Sequence, residues 1–444
     1  MKNRIVALAC LLSSTAAAQV GGYLGPGVLT RGAGDIGTRS GQDVDFRFYG
    51  DVSGLYDNGL EPYSVDSKGN LIAVNGLYGV QADLGAYGTH QWHTSALGLD
   101  YRGNFYDYVN DSKYSGSTHN LTLGYTYQKS RRLVFDFREV AGTSSLGYGG
   151  LGFYGTPGVQ GVSDVVNQPT SFLFDSRTYY IQSSLDVNYI LSPANIFTFG
   201  ADGFFLRRQA SGLAGLDGYN AHGTYQHRLS RTRTVGFTYE RMFYDYPPAF
   251  GQSDINVAQV FFADRFSRSW TFSISAGAFQ AEVKGIQQIT LSPVVAALLG
   301  TSTGTQAFYR DNVYPDGRVA LTGNFKTSTL TASYSQLATP GNGVYLTSRT
   351  SSATGYYSYT GIRKWNFGIG GGYSKLEAIG QGIKPYSGYN GGAGFTYGIN
   401  RYLHIVGRYD ARHQEISEYS FHATSYRATL GIAFSPGDIP LSLW

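Results

Sequence analysis

Among the acid–base pairs that stand two residues apart in this chain are Asp45 with Arg47, Asp100 with Arg102, Asp136 with Arg138, and Arg408 with Asp410. In an extended strand such positions share a face. By the same alternation Glu240, Arg318 and Arg427 fall on polar faces. Charges gathered on one face of several strands can sort and orient polar solutes. They can also cancel pairwise and stiffen a wall, and the opposite signs within each pair favour that second chemistry. Both require a polar interior.

Two other groupings could carry chemistry. Gly368, Gly370 and Gly372 lie on one strand face, and Gly392, Gly394 and Gly398 on the next. They lack the lysine and the strand-to-helix turn of a phosphate loop. A wall without side chains instead permits close approach by another backbone. The expected visitor is the connection 284–315, where Ser292, Pro293 and Gly300 punctuate a short helix carrying Pro293, Val294, Val295, Leu298 and Leu299. It is expected to fold inward as a constriction. The alternative is an outer lid packed against the other long connection, 143–175. The eight histidines (90, 93, 119, 222, 227, 404, 413, 422) are single apart from His90 and His93, which flank a turn. Nothing here resembles a catalytic histidine with Asp or Ser partners, a metal site or a haem attachment, so neither an enzyme nor a cofactor is expected.

The elements that position these residues follow from the whole chain. Lys2 and Arg4, then the apolar run Ile5–Leu12, then Ala16-Ala17-Ala18, read as a signal peptide over residues 1–18. Its removal takes away Cys10, the one cysteine, and lowers the net charge from +4 to +2. So small a charge excludes nucleic acid as a partner. No later stretch approaches the ~18 apolar residues of a membrane helix. Charged residues are 14% and aromatics 15%, with 60 glycines and 37 tyrosines. Ordinary soluble domains carry ~25% charge and half as much glycine.

From 43 to 434 the chain alternates apolar and polar positions in about eighteen segments. Leu121, Leu123, Tyr125 and Tyr127 alternate with Thr122, Gly124 and Thr126; Trp270, Phe272 and Ile274 alternate with Thr271, Ser273 and Ser275. One segment (44–56) precedes eight hairpins with short turns near 90, 130, 193, 231, 267, 327, 363 and 400; one (420–434) follows them. An even number of strands places both ends on the short-turn side. The fold class predicted is all-β, a transmembrane antiparallel barrel of about 18 strands, with 16 to 20 allowed. Residues 19–42 form a Gly-rich segment that could enter the lumen as a small plug, and 435–444 form a tail.

With its signal peptide, paired strands and an ending of Tyr426, Leu430, Ile432 and Phe434, the chain resembles the outer-membrane β-barrel proteins of Gram-negative bacteria, in particular the porin-like group. In that family an alternating, aromatic-terminated last strand serves as an assembly signal. Here ten residues follow it, which departs from the pattern. The resemblance implies folding by the outer-membrane assembly machinery, contact with outer-membrane lipid and lipopolysaccharide, and passive diffusion of small polar solutes through a pore lined by the charges named above. A homo-oligomer is left open. Two other functions compete: a carrier of hydrophobic molecules resembling the fatty-acid transporter family, and a plugged structural barrel that conducts nothing.

Overall fold

The computed structural model describes residues 44–58, 64–65, 71–72, 76–110, 114–144, 177–209, 212–290, 292, 301–341, 343–400, 402–416 and 421–434. The predicted signal peptide (1–18), Gly-rich segment (19–42) and tail (435–444) lie outside these residues. The described residues form twenty strands, of which β2 (Ser64–Val65) and β3 (Leu71–Ile72) make a small separate hairpin. The first nine barrel strands are β1 (Val44–Asn58), β4 (Leu77–Gln91), β5 (Ser95–Tyr108), β6 (Gly116–Gln128), β7 (Leu133–Ser144), β8 (Thr178–Ser192), β9 (Asn195–Arg208), β10 (Leu216–Arg228) and β11 (Arg233–Asp245). The next nine are β12 (Gly251–Asp264), β13 (Trp270–Thr290), β14 (Thr303–Asn324), β15 (Ser328–Thr339), β16 (Ser348–Ile362), β17 (Trp365–Ala378), β18 (Tyr386–Gly398), β19 (Leu403–Ile416) and β20 (Phe421–Phe434).

Each barrel strand pairs antiparallel with its chain neighbours. The ring closes where β1 pairs with β4 on one side and β20 on the other, Gly54 lying opposite Leu430. The predicted class and strand count of eighteen therefore hold. Strand bounds agree to within a few residues, with one exception. β13 and β14 run on as a hairpin through Thr290 and Thr303, so most of the connection expected at 284–315 is strand. The helix expected at 293–299 lies outside the described residues.

Five of the eight short turns share one device, a side-chain oxygen that accepts backbone N–H groups two and three residues on. Ser130 takes Arg132 and Leu133, and Ser230 takes Thr232 and Arg233. Ser192, Ser267 and Asn400 do the same. Such turns satisfy amides that the hairpin leaves over and fix the register of the strands they join.

Burial is inverted relative to a water-soluble protein. On β6, Thr118, Asn120 and Thr122 are buried, while Leu121, Tyr125 and Tyr127 are exposed. On β1, Asp51 and Ser53 are buried beside Val52, which is 60% exposed. The outer face is banded. Trp270 against Phe325, Trp365 against Tyr397 and Phe197 against Tyr225 form an aromatic girdle near the short turns. Tyr219 against Phe243, Tyr373 against Tyr389 and Tyr409 against Tyr426 form another toward the long connections. Between them are exposed aliphatic side chains such as Leu84, Leu185, Val260, Ile274, Ile369 and Leu430. The eight-residue step from Trp365 to Tyr373 spans about 26 Å along the strand, or about 20 Å along the membrane normal at the usual tilt. Level with the second girdle the outer face also carries charge, as in the 2.6 Å pair Arg241–Asp254 beside Phe243. That sequence of bands is the outer surface of a membrane-spanning barrel.

Ile274→Arg is expected to destabilise the barrel by about 2–4 kcal/mol, the cost of a cation on the lipid face near the midplane. Ser273→Arg, one residue along and facing inward, should cost much less. Unfolding by guanidinium in lipid vesicles measures both, and equal costs would mean that the faces are misassigned.

Candidate functional site: the barrel lumen

The register divides the inner wall into sectors with different chemistry. Strands β19, β20, β1, β4 and β5 carry ion pairs. Arg408 grips Asp410 through Nε–Oδ2 at 2.6 Å and Nη2–Oδ1 at 2.9 Å, and Arg102 grips Asp100 at 3.0 and 2.7 Å. Both are the same-face pairs expected from spacing. At the closing seam Asp410, Arg427 and Asp57 lie side by side across three strands. Arg427 Nε is 3.9 Å from Asp57 Oδ1, Arg427 also donates to Gln81 Oε1, and Tyr108 OH donates to Asp57. The Arg427 and Asp57 side chains are 5% and 0% exposed, so this pair is dry. Asp45 and Arg47 lie on β1 opposite Thr89 and Tyr87, and their side chains are outside the described residues.

From β7 to β14 the wall is richer in acid, and neutral donors meet the carboxylates. Asp136 accepts from Thr126 Oγ1 at 2.6 Å and Asn188 Nδ2 at 2.8 Å; these bonds, rather than one to Arg138 on the same face, hold it. His222 Nε2 lies 3.2 Å from Asp186. Asn220 donates to Glu240, and Gln259 Nε2 donates to Asp316 at 2.6 Å. Arg318 is placed two residues along from Asp316, with Ser275 and Ser335 beside it in register.

From β15 to β18 the wall is small and uncharged. Hydroxyls pair across strands at 2.8 Å: Ser333 with Thr354, Ser335 with Ser352, and Thr339 with Thr350. The glycines expected here do face one another, Gly368 opposite Gly394 and Gly370 opposite Gly392, with Gly372 opposite Asn390. What they admit differs from the expectation. A Cβ on Gly392 would overlap the Asp410 carboxylate, and one on Gly372 would meet Asn390 Oδ1. These two glycines make room for polar side chains of the wall itself.

Two features of the lumen went unread in the sequence. The first is an apolar inner patch toward the long connections on β9 to β13, where Phe204, Leu206, Met242, Ile255, Phe279 and Val283 are buried together. Its signal was a loss of alternation at strand ends, as in Phe204-Phe205-Leu206 and Met242-Phe243-Tyr244. The second is the segment 340–347 between β15 and β16, which folds into the mouth. Leu346 joins the apolar patch and Tyr345 packs with Leu376 and Tyr386. Thr347 OH bonds Tyr246 OH at 2.9 Å and touches the Ser253 hydroxyl on β12. Gly343 C=O accepts from Ala214 N–H at 3.1 Å in the connection between β9 and β10, so the segment spans the mouth between non-adjacent strands. Beneath it is a small cleft between an acid-rich floor (Glu240, Asp316, Arg318, Gln259) and an apolar flank that includes Met242 and Leu337.

The β13–β14 hairpin does not enter the lumen in its described part. Its Phe308 lies over Gly380 after β17, and Tyr314 stacks on Phe279 at 5.2 Å with the Arg349 guanidinium 5.7 Å from its ring. It leans across the ends of β15–β17. Toward the long connections the inner wall is tightly buried: Ser253, Ile255 and Val257 on β12, and Asn104, Tyr106 and Tyr108 on β5. Toward the short turns Gln259, Asp100 and Arg102 are only half-buried. Tyr426, Leu430, Ile432 and Phe434 all face outward and are exposed.

An apolar banded exterior, a polar ion-paired interior and an in-folded segment at one mouth define a porin-like transmembrane barrel as the class of this fold. No family model and no curated protein matches the chain. Solved structures do resemble it in part. OpdQ of Pseudomonas aeruginosa is 10% identical, with a TM-score of 0.43 over 90% of this chain and 98% of that one. A BenF-like porin from Pseudomonas fluorescens Pf-5 is 8% identical, with a TM-score of 0.45 over 88% and 99%. Pseudomonas aeruginosa OccK2 (OpdF), solved in complex with glucuronate, is 9% identical, with a TM-score of 0.43 over 88% and 98%.

Arg427→Ala leaves Asp57 charged, buried and without its nearest cation, a change that costs about 3–5 kcal/mol in comparable sites. The variant should lose heat-resistant mobility on detergent gels at a clearly lower temperature than wild type. Arg408→Ala, at the wetter pair, should shift it less. An unchanged melting temperature for Arg427→Ala would show that the seam pair contributes nothing.

Proposed function

We propose that this chain is an outer-membrane, porin-like channel through which small polar solutes diffuse passively, narrowed at the long-connection mouth by segment 340–347. The observation that carries the reading is the inversion of polarity around a closed ring: ionised and hydroxylated side chains inside, aliphatic and aromatic ones outside. A barrel that met only lipid and never water would have no use for the inward Asp100–Arg102 and Arg408–Asp410 ion pairs. The inner charges named from sequence are proposed as its lining, with Asp45, Arg47, Arg138 and Arg318 among them. The outward set Tyr426, Leu430, Ile432 and Phe434 suits an assembly signal read on the last strand. Short turns then face the periplasm, and the long connections face lipopolysaccharide.

One observation favours a second reading. The apolar patch on β9 to β13 would suit a carrier of hydrophobic molecules better than a water-filled pore. Purified protein in a planar bilayer decides between them. Discrete ionic steps are expected from the channel; absence of steps together with fatty-acid uptake into proteoliposomes would favour the carrier. Replacing residues 341–346 by two glycines should raise the step size several-fold while the barrel stays heat-stable in detergent. Deleting 293–300 should leave it unchanged, since the described part of that hairpin leans away from the lumen. The reverse pattern would return the constriction to the hairpin tip.

A further inference from the structure

The described residues of segment 340–347 cross the mouth without strand pairing, so their backbone groups must find other partners. One side chain supplies two of them. Gln381, in the connection between β17 and β18, accepts from Leu346 N–H through Oε1 at 2.8 Å and donates through Nε2 to Val344 C=O at 3.1 Å. A carboxamide in that position replaces a peptide unit of a missing strand. Other ties of the segment include Tyr345 OH to Lys384 C=O at 2.7 Å, Ile379 N–H to Thr347 C=O at 2.8 Å, the Gly343–Ala214 bond, and the Thr347 hydroxyl against Tyr246 and Ser253. Gly341 and Gly343 have φ of 68° and 97°, a backbone region that glycine enters without strain, so the segment can turn sharply beside Pro340.

We propose that Gln381 is the positioning residue that sets the aperture, a clasp holding segment 340–347 across the mouth, and that loss of its two hydrogen bonds lets the segment swing out. The proposal rests on the channel reading for its functional meaning but not for its geometry. With the clasp removed, Leu346 N–H and Val344 C=O lose these partners in the closed form and regain partners from water in the open form. The desolvation cost of the buried Leu346 N–H, deprived of its acceptor, shifts a closed–open equilibrium on the order of ten-fold.

Two readouts test it. Gln381→Leu keeps the volume and removes both bonds; Gln381→Glu keeps the acceptor and removes the donor. In planar bilayers Gln381→Leu should raise the time spent in the larger conducting state about ten-fold, with Gln381→Glu between it and wild type. Independently of conduction, Thr347→Cys in a Cys10→Ser background should react slowly with a water-soluble maleimide, because Thr347 is fully buried, and about ten-fold faster when Gln381→Leu is added. Ser253→Cys with Thr347→Cys replaces two touching hydroxyls; oxidised, that pair should cancel the effect of Gln381→Leu, and reduction should restore it. A folded Gln381→Leu barrel whose labelling is no faster overturns the clasp, whatever it conducts. Faster labelling in a protein that never conducts leaves the clasp standing and overturns the channel.

Discussion

The structure depends on ring closure. In a bilayer no water is available for an unpaired strand edge, so every backbone N–H and C=O of a spanning strand needs a strand on each side. Pairing of Gly50–Asn58 with Tyr426–Phe434 supplies the last of these partners. Everything else is conditional on that seam: the girdles become belts only when the ring is complete, and the inner charges share a lumen only when no gap opens to lipid.

Closure also explains how much was legible in the chain. Between lipid and water the alternation of a strand is forced at every residue, so Leu121 to Tyr127 and Trp270 to Ser275 announced both strand and face. The turns were readable because Ser and Asn recur at them. Reading failed where the constraint lapses. β13 and β14 continue past the outer girdle, where outward Lys284 and Asp311 no longer contrast with inward neighbours, and their extension looked like a loop. The in-folded segment 340–347 carries Pro, two Gly and three apolar residues, a composition shared with any surface turn. What makes it a constriction is long-range: Gln381, Ala214 and Ser253 are remote in sequence.

The lumen follows the same logic at its two ends. Half-buried pairs near the short turns remain in reach of water and contribute modestly. Farther up, Asp57 with Arg427 and Glu240 with Asn220 are shut away, and there each hydrogen bond lost would cost most. The glycines of β17 and β18 belong to that arrangement. Gly392 leaves the space that the Asp410 carboxylate needs to lie against the wall beside Arg408, so a bare patch and a charged patch are one construction.

The seam pair has a consequence for how the last strand finds its place. Strand pairing alone is nearly indifferent to sliding, since each amide meets another after every shift. A slip of β20 by one residue against β1 would turn Arg427 toward lipid and Leu430 toward the lumen. A slip by two would keep the faces but move Arg427 past Asp57, Gln81 and Asp410 together, leaving two carboxylates and a carboxamide on three other strands without this cation. The final hydrogen-bonding event is thus checked by chemistry written on β1, β4 and β19. The chain carries its own means of rejecting a barrel that has closed out of step.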